Sequence, residues 1–428
     1  MSPPPGAHPA IGVDDAARTL DALRAAGRAL ERRRTARALA ACFAAWRQPQ
    51  SGWVDALVAA GSPFSRAGLE RGLALGLEHW TEDALHRWVE RELCIAPLSA
   101  PSPVTATRTD RVAPGLTAVF VAGSIPTNVL GLIAGPLLVG SAVYAHPPHT
   151  DPHTVRAVIA SIRAIDPGVG EAIAAGDDRS VLRHADAIVA EGRDATLAEI
   201  RSASPTSATF VGYGAKLSAA AIGGDAEIES CAEAAALDVA LFDGRGCLSP
   251  AVLLIEDRPG GRARAVAERI AARLATLAQS MPRGDLSPAE HLGVHELRAE
   301  WCAQPESEAF LSARTTDFGV VLLPARADGP AGLTMPRGGS LRNVPAIAVR
   351  DREDLVRHVR GLAPSLSALG HVGWSLDPHE LARVAASAGA SRVCAIGCLQ
   401  RPPITWRHDG AGAIAALLRD VDIETGTS

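Results

Sequence analysis

Thirty consecutive residues, Leu116 to Ala145, carry no Asp, Glu, Lys or Arg. So long an uncharged run has two physical homes, a bilayer or the deep interior of a large fold. The punctuation of the run separates them. Pro126, Pro136 and four glycines interrupt it at intervals that spell strand, turn, helix, turn and strand. A spanning helix gains nothing from those breaks, whereas a β-α-β unit inside a parallel sheet needs them. We read the run as buried and exclude a membrane span.

The same alternation continues downstream. The pattern predicts strands at 117–122, 141–145, 186–190 and 207–211, with helices at 128–138, 152–165, 194–202 and 215–222. Repeated β-α units imply a mostly parallel sheet covered on both faces, with ligands at the strand C-terminal ends. Two of those ends carry loops of interest, Ala122–Val129 and Phe210–Ser218. The first enters a helix near Asn128, and a helix start offers N–H groups and positive potential to a phosphate or an oxyanion. Asn128 serves equally well there as an ordinary N-cap. The second loop carries Gly212 and Gly214 but is no Gly-x-Gly-x-x-Gly fingerprint, because position 217 is Leu. No P-loop pattern is present either.

Ahead of this region the chain is helical from Asp14 to about Leu93, with Leu20, Leu23, Leu30, Leu39, Phe43 and Trp46 recurring near the 3.6-residue period. The run Glu31-Arg32-Arg33-Arg34 reads as a solvated helix face. A Pro/Ser-rich linker, Ala96 to Pro103, closes this lead-in. Beyond residue 243 a second α/β region follows. Its strands are expected at 251–255, 318–323, 344–349 and 392–396, its helices at 262–279, 288–303, 351–362 and 411–420.

Between the two regions lies Leu241-Phe-Asp-Gly-Arg-Gly-Cys-Leu-Ser-Pro250. It sets Cys247 on a glycine-bracketed turn, after an Ala-rich helical pattern and before a branched apolar strand. Gly244 and Gly246 keep side chains away from the thiol and let a backbone N–H face a developing oxyanion. Pro250 stops any helix and feeds the strand. A thiol serving only as core filler requires none of this, so Cys247 is the candidate nucleophile.

Composition narrows the alternatives. A net charge of −5 gives no electrostatic case for nucleic acid. Seven cysteines at wide spacing, and a proline-rich start without an apolar h-region, make reduced thiols and a cytoplasmic location the expectation. Cys394 and Cys398 stand four apart without a second Cys/His pair, so no metal site is expected. Gly-x-Ser-x-Gly and His-Glu-x-x-His are both missing, which removes the commonest serine-hydrolase and zinc-protease readings. His146, His149 and His153 cluster on a proline-broken loop. His408 can be a proton donor or a structural histidine.

Five blocks in order resemble the acyl-CoA reductase family typified by the fatty-acid reductase subunit of bacterial bioluminescence, a branch of the aldehyde dehydrogenase superfamily. They are Gly123–Asn128, His184–Gly192, Phe210–Ser218, the cysteine block and Gln400–Gly410. The resemblance implies an α/β, aldehyde-dehydrogenase-like fold: two parallel-sheet α/β domains with an all-helical N-terminal lead-in. The expected division is a helical region at 1–95 and a Rossmann-like NAD(P)-binding domain at 96–243. A catalytic domain at 244–395 and a C-terminal segment at 396–428 complete it.

The resemblance also places Cys247 on the catalytic cysteine and Asn128 on the asparagine that shares the oxyanion hole with the cysteine's own N–H. Pro126 and Thr127 fall beside the nicotinamide, and Gly212, Tyr213 and Gly214 beside the pyrophosphate. His146 stands where the superfamily often has a lysine that grips the adenosine ribose or its 2′-phosphate. NADPH or NADH is therefore the implied cofactor, with the choice between them open. The Glu-Leu-Gly-Gly block carrying the water-activating glutamate of hydrolytic relatives is missing, and only Gly223-Gly224-Asp225 remains, which favours transfer over hydrolysis.

The function implied is reduction of an acyl-CoA or acyl-carrier-protein thioester to the aldehyde through an acyl-cysteine. Two alternatives stand beside it: reduction of an acyl phosphate, as in γ-glutamyl phosphate reductase, or a non-catalytic binding partner that keeps the fold. A possible homo-oligomer follows from superfamily analogy alone.

Overall fold

A computed structural model describes residues 19–93, 106–325, 330, 333–334 and 339–425. The linker 96–103, the first twelve residues and Cys94 lie outside the described residues. The chain divides into two compact units. One comprises residues 1–62, 77–214 and 403–428; the other comprises 63–76 and 215–402. The sequence reading placed the boundary after 243. Residues 215–243 and the segment 63–76 instead belong to the second unit.

In the first unit, β1 (Ala106–Val112) is followed by β2 (Leu116–Phe120), β3 (Ala142–His146), β4 (Ile173–Ala175), β5 (Ala187–Glu191) and β6 (Thr209–Tyr213). β2 to β6 form one parallel sheet in the order β4-β3-β2-β5-β6. The uncharged run supplies β2, the helix Pro126–Leu138 and most of β3, and most of its apolar residues are buried. No described helix is long and apolar enough to cross a membrane. Chain order reverses between β2 and β5, which makes the C-terminal ends of those two strands the switch point where such sheets take ligands.

Four helices of the lead-in belong to this unit: Leu20–Arg28, Arg32–Trp46, Trp53–Ala59 and Glu82–Leu93. The Trp46 indole donates to Ser161 Oγ at 2.9 Å from within that core. Buried Glu92 receives the Trp88 indole N–H and the backbone N–H groups of Ile414 and Ala415, at 2.6, 2.7 and 2.8 Å. One carboxylate thus ties the last lead-in helix to the C-terminal segment. The arginine run is exposed as expected, but Arg34 also makes a two-pronged pair with Asp166, at 2.8 and 2.7 Å.

The second unit holds β7 (Leu217–Ile222), β8 (Pro250–Glu256), β9 (Glu308–Leu311), β10 (Gly319–Leu323), β11 (Asn343–Val349), β12 (Leu366–Val372) and β13 (Arg392–Ala395). Their order is β13-β12-β7-β8-β11-β10-β9, parallel except for the edge strand β9. The helix expected at 215–222 is therefore the strand β7. Alanine favours helix on intrinsic grounds, yet Ala219 and Ala221 face one core while Ala220 and Ile222 face the other. Burial on both faces between β8 and β12 overrides propensity.

The C-terminal expectation also fails. In place of a helix at 411–420 there is a short turn, Ala415–Leu417, and a strand, β14 (Arg419–Thr425). β14 pairs antiparallel with β1, from Ala106↔Thr425 to Val112↔Arg419. Its partner lies some three hundred residues upstream, where no local pattern can reveal it.

Candidate active site

The turn that carries Cys247 is built within the second unit. The helix Ile228–Ala240 runs into Leu241–Gly244, where Phe242 and Asp243 take left-handed backbone angles, φ 48° and 55°. A bulky residue rarely adopts that conformation unless its surroundings enforce it. Two sets of contacts do so here. Phe242 packs edge-on against Phe64 at 5.9 Å, and Gly72 of the helix Arg66–Gly76 lies so close that a Cβ there would meet the Phe242 ring at 2.6 Å. Asp243, buried, receives Arg342 at 2.6 Å and the Gly284 N–H at 3.1 Å. Arg342 is itself left-handed and buried, and its other nitrogen donates to the Met281 carbonyl at 2.7 Å.

Cys247 follows four residues later and is exposed. Its backbone carbonyl accepts the Ser218 hydroxyl at 2.8 Å, and the Ser249 N–H closes the turn onto Gly246 at 3.0 Å. Gly244 turns out to serve packing as well as access. At φ 68°, a Cβ on it would stand 2.1 Å from Ser340 Oγ. Arg245, whose direction the sequence leaves open, pairs with Glu290, so its charge is matched rather than turned loose on the thiol.

The helix leading to the turn is pinned at its end. Asp238 accepts the N–H groups of Gly397 and Leu399 at 2.5 and 3.0 Å, and Gln400 donates to the carbonyls of Asp238 and Leu241. Gln400 opens the last of the five sequence blocks, and this anchoring gives its place there a physical reason.

Four other thiols are poorer nucleophile candidates. Burial pushes Cys42 and Cys394 up to about 12, and it also raises Cys231 and Cys302. Among the described residues no group of three or more His, Cys, Asp or Glu is placed to hold a metal ion.

The expected cofactor residues all lie in the first unit, at the C-terminal ends of its strands. Pro126 and Thr127 open the helix Pro126–Leu138, whose N-cap, Ile125, makes no side-chain cap. Asn128 is thus in the first turn and is not the N-cap. Its amide Nδ2 lies 3.0 and 2.9 Å from the two oxygens of Glu191, at the end of β5. His146 ends β3 and stacks on Phe120 at 4.8 Å. Desolvation holds its pKa below the ordinary histidine value, with Asp177 and Arg179 acting in opposite senses.

Gly212 and Tyr213 finish β6, and Gly214 follows it. Buried Tyr213 stacks face to face on His408 at 4.3 Å, and Trp406 meets the same imidazole at 4.7 Å. His408 and Trp406 come from the C-terminal block, so two blocks far apart in sequence meet here. Sequence reasoning missed Glu191 as a partner of Asn128, although both lie inside quoted blocks. Motif order carries no distances.

Residues 38–420 match the family model for acyl-CoA reductase (LuxC). The chain belongs to that family. Its members are enzymes, and the bioluminescence-type resemblance seen in the sequence blocks is thereby placed on most of the chain. No curated protein matches it.

Solved structures share the aldehyde dehydrogenase fold at low identity. An NAD-dependent benzaldehyde dehydrogenase from Corynebacterium glutamicum is 17% identical with a TM-score of 0.72, over 95% of this chain and 90% of that one. Glyceraldehyde-3-phosphate dehydrogenase GapN from Methanocaldococcus jannaschii, complexed with NADP, is 11% identical with a TM-score of 0.70, over 95% and 93%. Methylmalonate-semialdehyde dehydrogenase (DddC) from Oceanimonas doudoroffii is 12% identical with a TM-score of 0.73, over 96% and 90%.

Proposed function

We propose that this LuxC-family reductase converts an acyl thioester, on CoA or an acyl-carrier protein, to the aldehyde through an acyl intermediate on Cys247, with NADPH or NADH. The observation that carries the reading is Cys247 itself. It is an exposed thiol on a turn held by Ser218 and by the buried Asp243–Arg342 pair, while burial disfavours ionisation of four other cysteines.

The Cys247 thiolate attacks the acyl carbonyl carbon, and a C–S bond forms as the carbonyl electrons move to oxygen. The Cys247 N–H and the Asn128 amide are the donors for that oxyanion; one such donor is typically worth about 3 kcal/mol in the barrier. The oxyanion collapses, the bond to the carrier sulfur breaks, and the carrier leaves as a thiolate. When bound, a nicotinamide cofactor would supply the hydride that turns the acyl-cysteine into a thiohemiacetal on Cys247. When its oxyanion collapses, the aldehyde departs and Cys247 is a thiolate again. Asp225, in the remnant of the hydrolytic block, is engaged by Ser375 and Arg258, which hold its carboxyl below the usual range and weaken it as a water-activating base.

The residues present fit a dinucleotide. Around Gly123, at φ 89°, nothing lies within 4 Å of where a Cβ would sit, so backbone can approach a ligand closely. The neighbouring helix start lacks a side-chain cap and suits an anion. Pro126, Thr127, His146, Gly212, Tyr213 and Gly214 would hold the cofactor at this edge of the sheet.

Intact-mass analysis after mixing with acyl-CoA thioesters of graded length, without cofactor, tests the reading. One acyl adduct is expected on the native chain and none on Cys247→Ala. An adduct of equal yield on Cys247→Ala would exclude covalent catalysis at this residue.

A further inference from the structure

Glu191 is the second-to-last residue of the block His184–Gly192, and none of the chemistry above gives it a task. It closes β5 directly beside β2, at the switch point of the first unit's sheet. Both of its oxygens face Asn128 Nδ2, at 3.0 and 2.9 Å, and Oε2 also accepts the Ala122 N–H at 3.2 Å.

This geometry fixes an orientation. An ionised carboxylate only accepts, so it admits the NH2 end of the Asn128 amide and repels the Oδ1 end. Seen from one nitrogen, the two oxygens of a carboxylate lie close together, whereas the two N–H bonds of an amide diverge widely. One N–H is shared between the oxygens, and the other is directed elsewhere. The Ala122 contact anchors the carboxylate to the loop that leads into Asn128's own helix.

We propose that Glu191 is a positioning residue for the oxyanion hole: it holds one N–H of Asn128 and thereby presents the other to the reacting carbonyl oxygen. The inference rests on the acyl-transfer reading, in which Asn128 is the side-chain donor. It also carries a pH dependence. Burial pushes the Glu191 carboxyl up to about 7 against the pull of Asn128 and Ala122, and Asp409 adds to the rise. Among the described residues Tyr213 of β6 also faces it; its phenol is raised by burial and by Glu191, with His408 stacked on its ring. A protonated Glu191 carries an O–H that competes for Asn128 Oδ1, and the amide loses its single enforced orientation.

Two reactions of Cys247 in the full-length protein separate this role from a merely structural one. Acylation by p-nitrophenyl acetate, followed as the nitrophenolate burst, passes through an oxyanion. Alkylation by iodoacetamide needs the same thiolate but forms no oxyanion. Asn128→Ala should slow acylation about a hundredfold or more and leave alkylation within twofold. Glu191→Gln should slow acylation roughly tenfold to a hundredfold, again sparing alkylation. The double variant should be no slower than Asn128→Ala.

In the native protein the ratio of acylation to alkylation should fall as pH drops through about 7, a measurement that needs no variant. Full acylation in Asn128→Ala would sink the oxyanion reading itself. Slow acylation in Asn128→Ala but native acylation in Glu191→Gln would overturn the role of Glu191 and leave that reading standing. A ratio independent of pH in the native protein, or additive losses in the double variant, would overturn it too.

Discussion

Asp243→Asn removes the charge from the pair that holds the Cys247 turn. The side chains of Arg342 and Asp243 are 1% and 2% exposed, and they meet at 2.6 Å. Asparagine keeps the shape, accepts the Gly284 N–H as before, and tolerates the left-handed backbone at φ 55° at least as well as aspartate. What is lost is the charged acceptor for Arg342: the guanidinium stays buried with one carbonyl partner and no counter-charge, and the amide NH2 faces it where Oδ1 accepted. Breaking a buried pair on one side costs about 3–5 kcal/mol. For a unit of this size that corresponds to a fall in melting temperature of roughly 10 °C.

Urea unfolding and calorimetry of Asp243→Asn measure the loss. The double variant Asp243→Asn, Arg342→Met should recover most of it, because no unpaired charge remains inside. The exposed pair Arg179–Glu199, with side chains 45% and 63% exposed, serves as control; removing it should cost at most about 1 kcal/mol. A loss no larger for Asp243→Asn than for the control, or a double variant no better than the single one, would refute the reasoning.

Gly244→Ala should destabilise by about 1–2 kcal/mol from the left-handed backbone alone. The Cβ contact of 2.1 Å with Ser340 Oγ adds to this, and slower iodoacetamide labelling of Cys247 should accompany it. Stability should also depend on pH through two carboxyls. Burial raises both Asp238 and Glu191 to about 7, so the folded chain binds their protons more tightly than the unfolded one. Their contribution favours folding at low pH and is lost as pH rises from about 4 to 7, with no further change above. His146 and His371, depressed by burial, act in the opposite sense near their ordinary values. Comparing urea midpoints of native protein and Asp238→Asn at pH 5 and pH 7.5 isolates the carboxyl effect: the variant should lose less on going to the higher pH. An equal loss in both would count against it.

Much of the architecture is local in origin and so could be read from the chain. An uncharged run broken by prolines and glycines must be a buried β-α-β unit, because only a covered parallel sheet spares it from water while using the breaks. The turn around Cys247 could be read for the same reason: glycines, a proline and a branched apolar strand each restrict the backbone within a few residues. What escaped depends on partners far away. The alanines of β7 become a strand through neighbours contributed by residues 250–256 and 366–372, and β14 exists because residues 106–112 lie beside it.

The site divides along the same line. Residue types at Cys247, Asn128 and the glycine loops were visible in the motifs. The Asp243–Arg342 and Asn128–Glu191 pairs were decided by tertiary structure, since each joins residues more than sixty positions apart. Local sequence sets backbone angles and hydrophobic pattern. Only the packed fold sets which buried charge meets which, and that meeting holds the thiol and the amide in place.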